Sequence, residues 1–156
     1  MPTSNAAVLD LPAMNPASSL HDPQAEMPVG VLLVTHHAVG RALMDAARHV
    51  MPRLPLKVDA VEIGECNDPA RTLSAHAAAA RALDAGAGVL VLSDLYGATP
   101  CNVAHRLGSV GVHARCVSGL NLPMLLRVLN YADKPLDELA EVAASGGKSG
   151  IFIDKA

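Results

Sequence analysis

Short strand-like runs alternate with stretches whose apolar residues recur at helical spacing, and this rhythm leaves few folds open to the chain. Val29–Val34 (VGVLLV) reads as a buried strand. Val39, Leu43, Ala47 and Val50 follow on one helical face, with Arg41, Asp45 and Arg48 opposite. Pro52 and Pro55 end that helix. Val58–Ile63 alternates as a second strand, and Asp68-Pro69 supplies an N-cap and a first-turn proline for a helix over 69–85. Gly86 and Gly88 close it. Val89–Leu92, the most hydrophobic run, predicts a central strand. Thr99-Pro100 repeats the cap-plus-proline signal, with Thr99 as cap and a helix to about Leu107. Val112–Val117 is a fourth strand, and Leu122, Leu125, Leu126 and Leu129 mark a helix with Asn121 as its cap. Pro135 opens a further helix that buries Leu136, Leu139 and Val142 and breaks at Gly146-Gly147. Gly150–Asp154 (GIFID) reads as a last short strand.

Strand alternating with helix implies an α/β fold: a doubly wound, mostly parallel sheet with helices on both faces and right-handed crossovers. Composition agrees. Of 156 residues 51% are hydrophobic but only Tyr96, Tyr131 and Phe152 are aromatic, so the core is aliphatic, as buried parallel sheets prefer. The same composition excludes functions. A net charge of −3 leaves no basic footprint for nucleic acid, and three scattered aromatics make no base-stacking platform. No apolar run reaches the roughly 18 residues of a membrane span. Residues 1–26 hold no Lys or Arg, so a secretory n-region is missing, and Cys66, Cys101 and Cys116 without a CxxC pair read as free thiols in a cytoplasmic protein.

Residues 1–27 form a distinct stretch. Pro2, Pro12, Pro16 and Pro23 interrupt it, no period is sustained, and Asp10, Asp22 and Glu26 carry the whole net charge. It reads as a disordered N-terminal tail, with Met27 as a candidate start, ahead of a single domain over 28–156.

Parallel sheets bind ligands at the carboxyl ends of their strands, beside the topological switch point. Thr35, His36 and His37 follow the first strand; Asp94–Pro100 follow the third; Ser118–Met124 follow the fourth. In the strand order 2-1-3-4 the first and third strands are neighbours, so His36 and Asp94 meet in one crevice with a helix N-terminus. That set suits phosphoryl transfer through histidine. A neutral imidazole is a nucleophile near pH 7. A carboxylate on one ring nitrogen fixes the tautomer, aims the other nitrogen's lone pair and stabilises the cation that forms. The amides opening the helix at Thr99–Cys101 and the Thr99 hydroxyl are donors for phosphoryl oxygens. No Lys or Arg stands next to these segments, which favours a relay over a hydrolase.

The segments VLLVTHHAVGRALMDAA, VLVLSDLYGATPCNVA and VSGLNLPMLLRVL resemble the enzyme IIA component of the mannose-type (mannose/fructose/sorbose) phosphotransferase system over about residues 28–154. The resemblance implies that His36 is the phosphorylated residue, Asp94 its orienting carboxylate and Thr99 the phosphate contact. Thr35, His37, Gly97, Ala98, Cys101 and Asn121 then line the phosphate or partner site. It further implies a homodimer that exchanges a C-terminal antiparallel edge strand, here Gly150–Asp154. HPr is the implied donor and enzyme IIB, or a regulatory target, the implied receiver. No cofactor and no metal are called for, and the membrane is met only through the permease complex. Three departures stand out: His37 where the family has Gly, Ala98 where it has a second Gly, and Cys101 in place of a usual Phe.

Two other readings fit the same residues. A regulatory IIA-like phosphoprotein without its own permease would keep the same site and change only the output. A metal hydrolase would use His36, His37 and Asp94, although adjacent side chains point apart. His21, His49, His76, His105 and His113 read as surface residues, and His37 as a solvent-facing start of the first helix. Cys101 suits packing and Asn121 suits capping as well as a site. Gly147-Lys148-Ser149 suggests a phosphate loop, but Val142 occupies the required first glycine.

Overall fold

A computed structural model describes residues 27–64 and 68–154. The stretch expected to be a disordered tail therefore lies outside the described residues, apart from Met27, and Cys66 lies outside as well. Four strands, β1 (Gly30–His36), β2 (Val58–Ile63), β3 (Val89–Ser93) and β4 (Ala114–Ser118), form one parallel sheet in the order β2-β1-β3-β4. The expected order thus holds. The central pair is apolar on both faces, and Val31–Val34 and Val89–Leu92 are completely buried. Each such leucine or valine contributes about 1.5–3 kcal/mol.

Helices α1 (Val39–Val50), α4 (Leu122–Asn130) and α5 (Leu136–Ser149) cover one face. Helices α2 (Pro69–Leu83) and α3 (Thr99–Arg106) cover the other, with a 3-10 turn at Leu107–Val110. Leu33, Leu90, Leu92, Met124, Leu125, Leu129 and Leu139 fill the first layer; Leu32, Val34, Val89, Val91, Leu73, Val103 and Leu107 fill the second. Strand alternation sorts the site residues too. Thr35 follows Val31 and Leu33 toward α1, while His36 follows Leu32 and Val34 toward α2 and α3.

Several expectations are corrected. Gly146-Gly147 does not break the last helix, and α5 runs on to Ser149. The glycines are there for proximity. A Cβ on Gly146 would lie 2.5 Å from the Arg127 Cβ, and one on Gly147 would lie 2.7 Å from the Met124 Cε, so α5 seats directly on α4. Ile151–Asp154 form no strand among the described residues; they are exposed and lie beyond α5 with no neighbouring strand. On α1 the buried residues are Gly40, Met44 and Ala47, whereas Val39 and Val50 are exposed. Gly40 lets the helix press onto β1 and β2, because a Cβ there would sit 2.9 Å from the Thr35 Oγ1. His76 is not a surface residue. It continues the inward stripe Leu73, His76, Ala77, Ala80, and its Nδ1–H donates to the Thr72 carbonyl at 2.7 Å. Burial lowers its pKa and keeps the ring neutral.

Candidate functional site

β1 and β3 are hydrogen-bonded neighbours, with Val34 beside Ser93, so the residues that follow them share one end of the sheet. There Asp94 grips His36 twice. Its Oδ2 accepts the backbone N–H of His36 at 2.9 Å and stands 2.9 Å from His36 Nδ1. A carboxylate only accepts, so Nδ1 carries the proton and Nε2 carries the lone pair. The imidazole is half exposed, while the Asp94 side chain is 12% exposed. The acid is therefore held and largely shielded from water, and the nucleophile is presented to solvent.

Each predicted site residue has a definite place. Thr35 is fully buried, and its hydroxyl donates to the His36 carbonyl and accepts from Gly40 N–H, each at 2.9 Å. It is a staple behind His36. Gly97 turns the loop after β3 at φ 78°, a conformation glycine adopts without strain. Ala98 sits at φ −77°, where alanine costs nothing, so the departure there leaves the loop intact.

Thr99 is not the cap of α3. Ala98 is the N-cap, and Thr99 and Pro100 occupy the first turn with no side-chain cap bond. The amides of Thr99 and Cys101 remain as first-turn donors, since Pro100 has none. The Thr99 hydroxyl, freed from capping, stays at an exposed position. The Cys101 thiol is only 1% exposed and lies 3.2 Å from the Ser118 Oγ, which places it in packing. The neighbouring Cys116 thiol is pushed up to about 11 by burial, then by Cys101. Asn121 is likewise used up. Its Oδ1 caps α4 at Met124 N–H (2.9 Å), and its amide donates to the Gly147 carbonyl at 3.3 Å.

His37 points away from His36, and its Nδ1 lies 3.5 Å from Glu62 Oε2 rather than beside Asp94. That geometry removes it from a His36–Asp94 metal set. Glu62, at the carboxyl end of β2, went unnoticed in the sequence. Its neighbour across the sheet is Thr35, a pairing that only the register reveals.

Residues 30–144 match the sequence model of the family described as PTS system fructose IIA component, that is, IIA components of the phosphotransferase system. The chain belongs to that family. This IIA-family chain is 37% identical over 76 residues to the mannose-specific EIIAB component of Escherichia coli K12. That stretch is 47% of this chain and 24% of the E. coli protein, so the chain spans about a quarter of the curated relatives it matches. Among solved structures, the mannose/sorbose-specific IIA subunit from Enterococcus faecalis superposes with a TM-score of 0.73 at 27% identity. The match covers 83% of this chain and 97% of that one. A IIA protein associated with the fucose utilization operon of Streptococcus pneumoniae shares the fold, with a TM-score of 0.67 at 21% identity over 79% and 91% of the two chains. Among the described residues no helix is long and apolar enough to cross a membrane.

Proposed function

We propose that this chain is a histidine phosphocarrier, a phosphotransferase whose acceptor atom is His36 Nε2. The observation that carries the reading is the 2.9 Å contact between His36 Nδ1 and Asp94. In the first transfer the Nε2 lone pair attacks phosphorus and the P–N bond of the donor's phosphohistidine breaks. The His36 ring keeps its Nδ1 proton and becomes cationic, and Asp94 neutralises that charge. The amides of Thr99 and Cys101 and the Thr99 hydroxyl receive phosphoryl oxygens at the head of α3. In the second transfer the acceptor attacks the same phosphorus, the Nε2–P bond breaks, and the neutral ring returns. Phospho-HPr is the donor and an enzyme IIB the receiver, in the cytoplasm.

The assembly proposed with it is a homodimer. β4 is one of the sheet's two edge strands, and beside it runs a groove of about 710 Å³ lined by Tyr96, Arg115, Cys116, Val117 and Ala140, among others. Ile151, Phe152 and Ile153 stand almost fully exposed, Phe152 at 83%. Exchange of Gly150–Asp154 between two copies would cover both surfaces. Residues 28–156 act as one domain, and loss of 1–27 leaves the transfer intact.

Incubation with enzyme I, HPr and radiolabelled phosphoenolpyruvate tests the function. One acid-labile phosphate per chain is expected, and none on His36→Ala. Full labelling of that variant overturns the assignment.

A further inference from the structure

The turn that carries His36 is built in an unusual way. α1 follows β1 after only His37 and Ala38, and the N-cap is Ala38, which has no side chain to cap with. Ala38 also sits at φ 66°, a left-handed conformation that alanine disfavours. A helix normally satisfies its second and third amides through the N-cap side chain. Here the second amide, Gly40 N–H, goes to Thr35 Oγ1 at 2.9 Å. The third, Arg41 N–H, goes to Glu62 Oε1 at 3.2 Å. Thr35 and Glu62 are register partners on adjacent strands and point to the same face, so the sheet itself caps the helix.

Glu62 does more than accept that bond. Its other oxygen lies 3.6 Å from Arg41 Nε and 3.5 Å from His37 Nδ1, and its side chain is only 9% exposed. Burial alone would raise its pKa. The amides of Arg41 and Ala38, and then the charges of Arg41 and His37, outweigh burial and hold it below the ordinary glutamate value. Both limbs of the strained turn, His37 before Ala38 and Arg41 after it, are therefore tied to one carboxylate. The His37 departure from the expected glycine gains a role: its ring is one of the ties.

His36 thus stands between two acids from the two strands that flank β1. Asp94, beyond β3, holds its ring and its N–H; Glu62, on β2, holds the turn that follows it. We infer that Glu62 is a positioning residue for His36: by capping α1 from β2 and tying down His37 and Arg41, it fixes the Ala38 turn so that the imidazole meets Asp94 in one tautomer. The inference rests on the phosphocarrier reading of His36, which it deepens.

Two readouts test it without any protein partner. In 15N-resolved NMR the wild-type His36 ring should show a proton on Nδ1 alone, and Glu62→Ala should mix the two tautomers. Labelling by phosphoramidate, a small phosphoryl donor, should slow by on the order of tenfold at saturating donor in Glu62→Ala, with half-saturation unchanged. Glu62→Gln, which keeps an acceptor for Arg41 N–H, should recover most of that rate. A folded Glu62→Ala protein with wild-type rate and tautomer overturns the inference, as does a Glu62→Gln protein as slow as Glu62→Ala. Should Glu62→Ala fail to fold, hydrogen exchange in the unmodified protein decides: a protected Arg41 amide supports the cap, and exchange at the rate of an open peptide refutes it. Failure of the wild type to take phosphate from phospho-HPr would count against the carrier reading alone, since tautomer and exchange need no donor.

Discussion

Asp94→Asn separates the orienting acid from everything else in the site. In the wild type one oxygen, Oδ2, takes two hydrogen bonds from His36, each 2.9 Å long. Asparagine leaves one carbonyl to accept but removes the charge that neutralises the imidazolium formed during transfer. If the amide turns its NH2 toward the ring, the tautomer reverses and Nε2 loses its lone pair. A hydrogen bond to a charged group contributes about 1.5–3 kcal/mol. The His36 ring is half exposed, so water screens part of this and about 1–2 kcal/mol remains. At about 1.4 kcal/mol per decade, the transfer rate should fall roughly 5–30-fold. Rapid-quench measurement of phosphoryl transfer from phospho-HPr gives that rate, and thermal melting in parallel shows whether the fold is kept. A variant that melts like the wild type and labels within about twofold of it would refute the orienting role.

Three further outcomes follow from the packing. Gly146→Ala should destabilise by about 1–2 kcal/mol, because the methyl group meets the Arg127 Cβ and overpacking outweighs the helix-propensity gain of about 1 kcal/mol. Gly147→Ala, whose one close approach is to the movable Met124 Cε and whose contacts with Asn121 Nδ2 and Met124 Cβ, at 3.4 and 3.5 Å, are ordinary, should be near neutral; denaturant titrations compare the two. His76, its pKa lowered by burial, should make stability fall as pH drops through and below the ordinary histidine range, since the unfolded chain takes up a proton that the folded ring resists. His76→Leu should flatten that part of the stability–pH curve. Sedimentation velocity should show a dimer for the wild type and a monomer after joint Ile151→Ser, Phe152→Ser and Ile153→Ser substitution; a wild-type monomer contradicts the exchanged-strand proposal.

The sheet was legible because its signals are local and redundant. Val29–Val34 and Val89–Leu92 are buried on both faces and read as continuous apolar runs, and the caps read at Asp68 and Asn121 mark real helix starts. His36 and Asp94 were legible because strand order brings their loops together. What failed depends on neighbours distant in sequence. Gly146 and Gly147 look like a helix stop, and only the proximity of Arg127 and Met124 shows why small residues sit inside α5. Gly150–Asp154 has strand composition, but among the described residues no strand lies beside it. Thr99 carries a cap signature, yet the chain enters α3 one residue earlier, at Ala98. Glu62 was hidden for the same reason: nothing near it in sequence announces that β2 will deliver its carboxylate to the head of α1.

The most direct test of the central claim is 31P–1H correlation NMR on the phosphorylated protein, because it reports both the residue and the ring nitrogen. A single phosphohistidine signal is expected, assigned to His36 and bonded through Nε2, with the Nδ1 proton retained toward Asp94. Phosphorus on Nδ1, on His37 or on any other residue would contradict it.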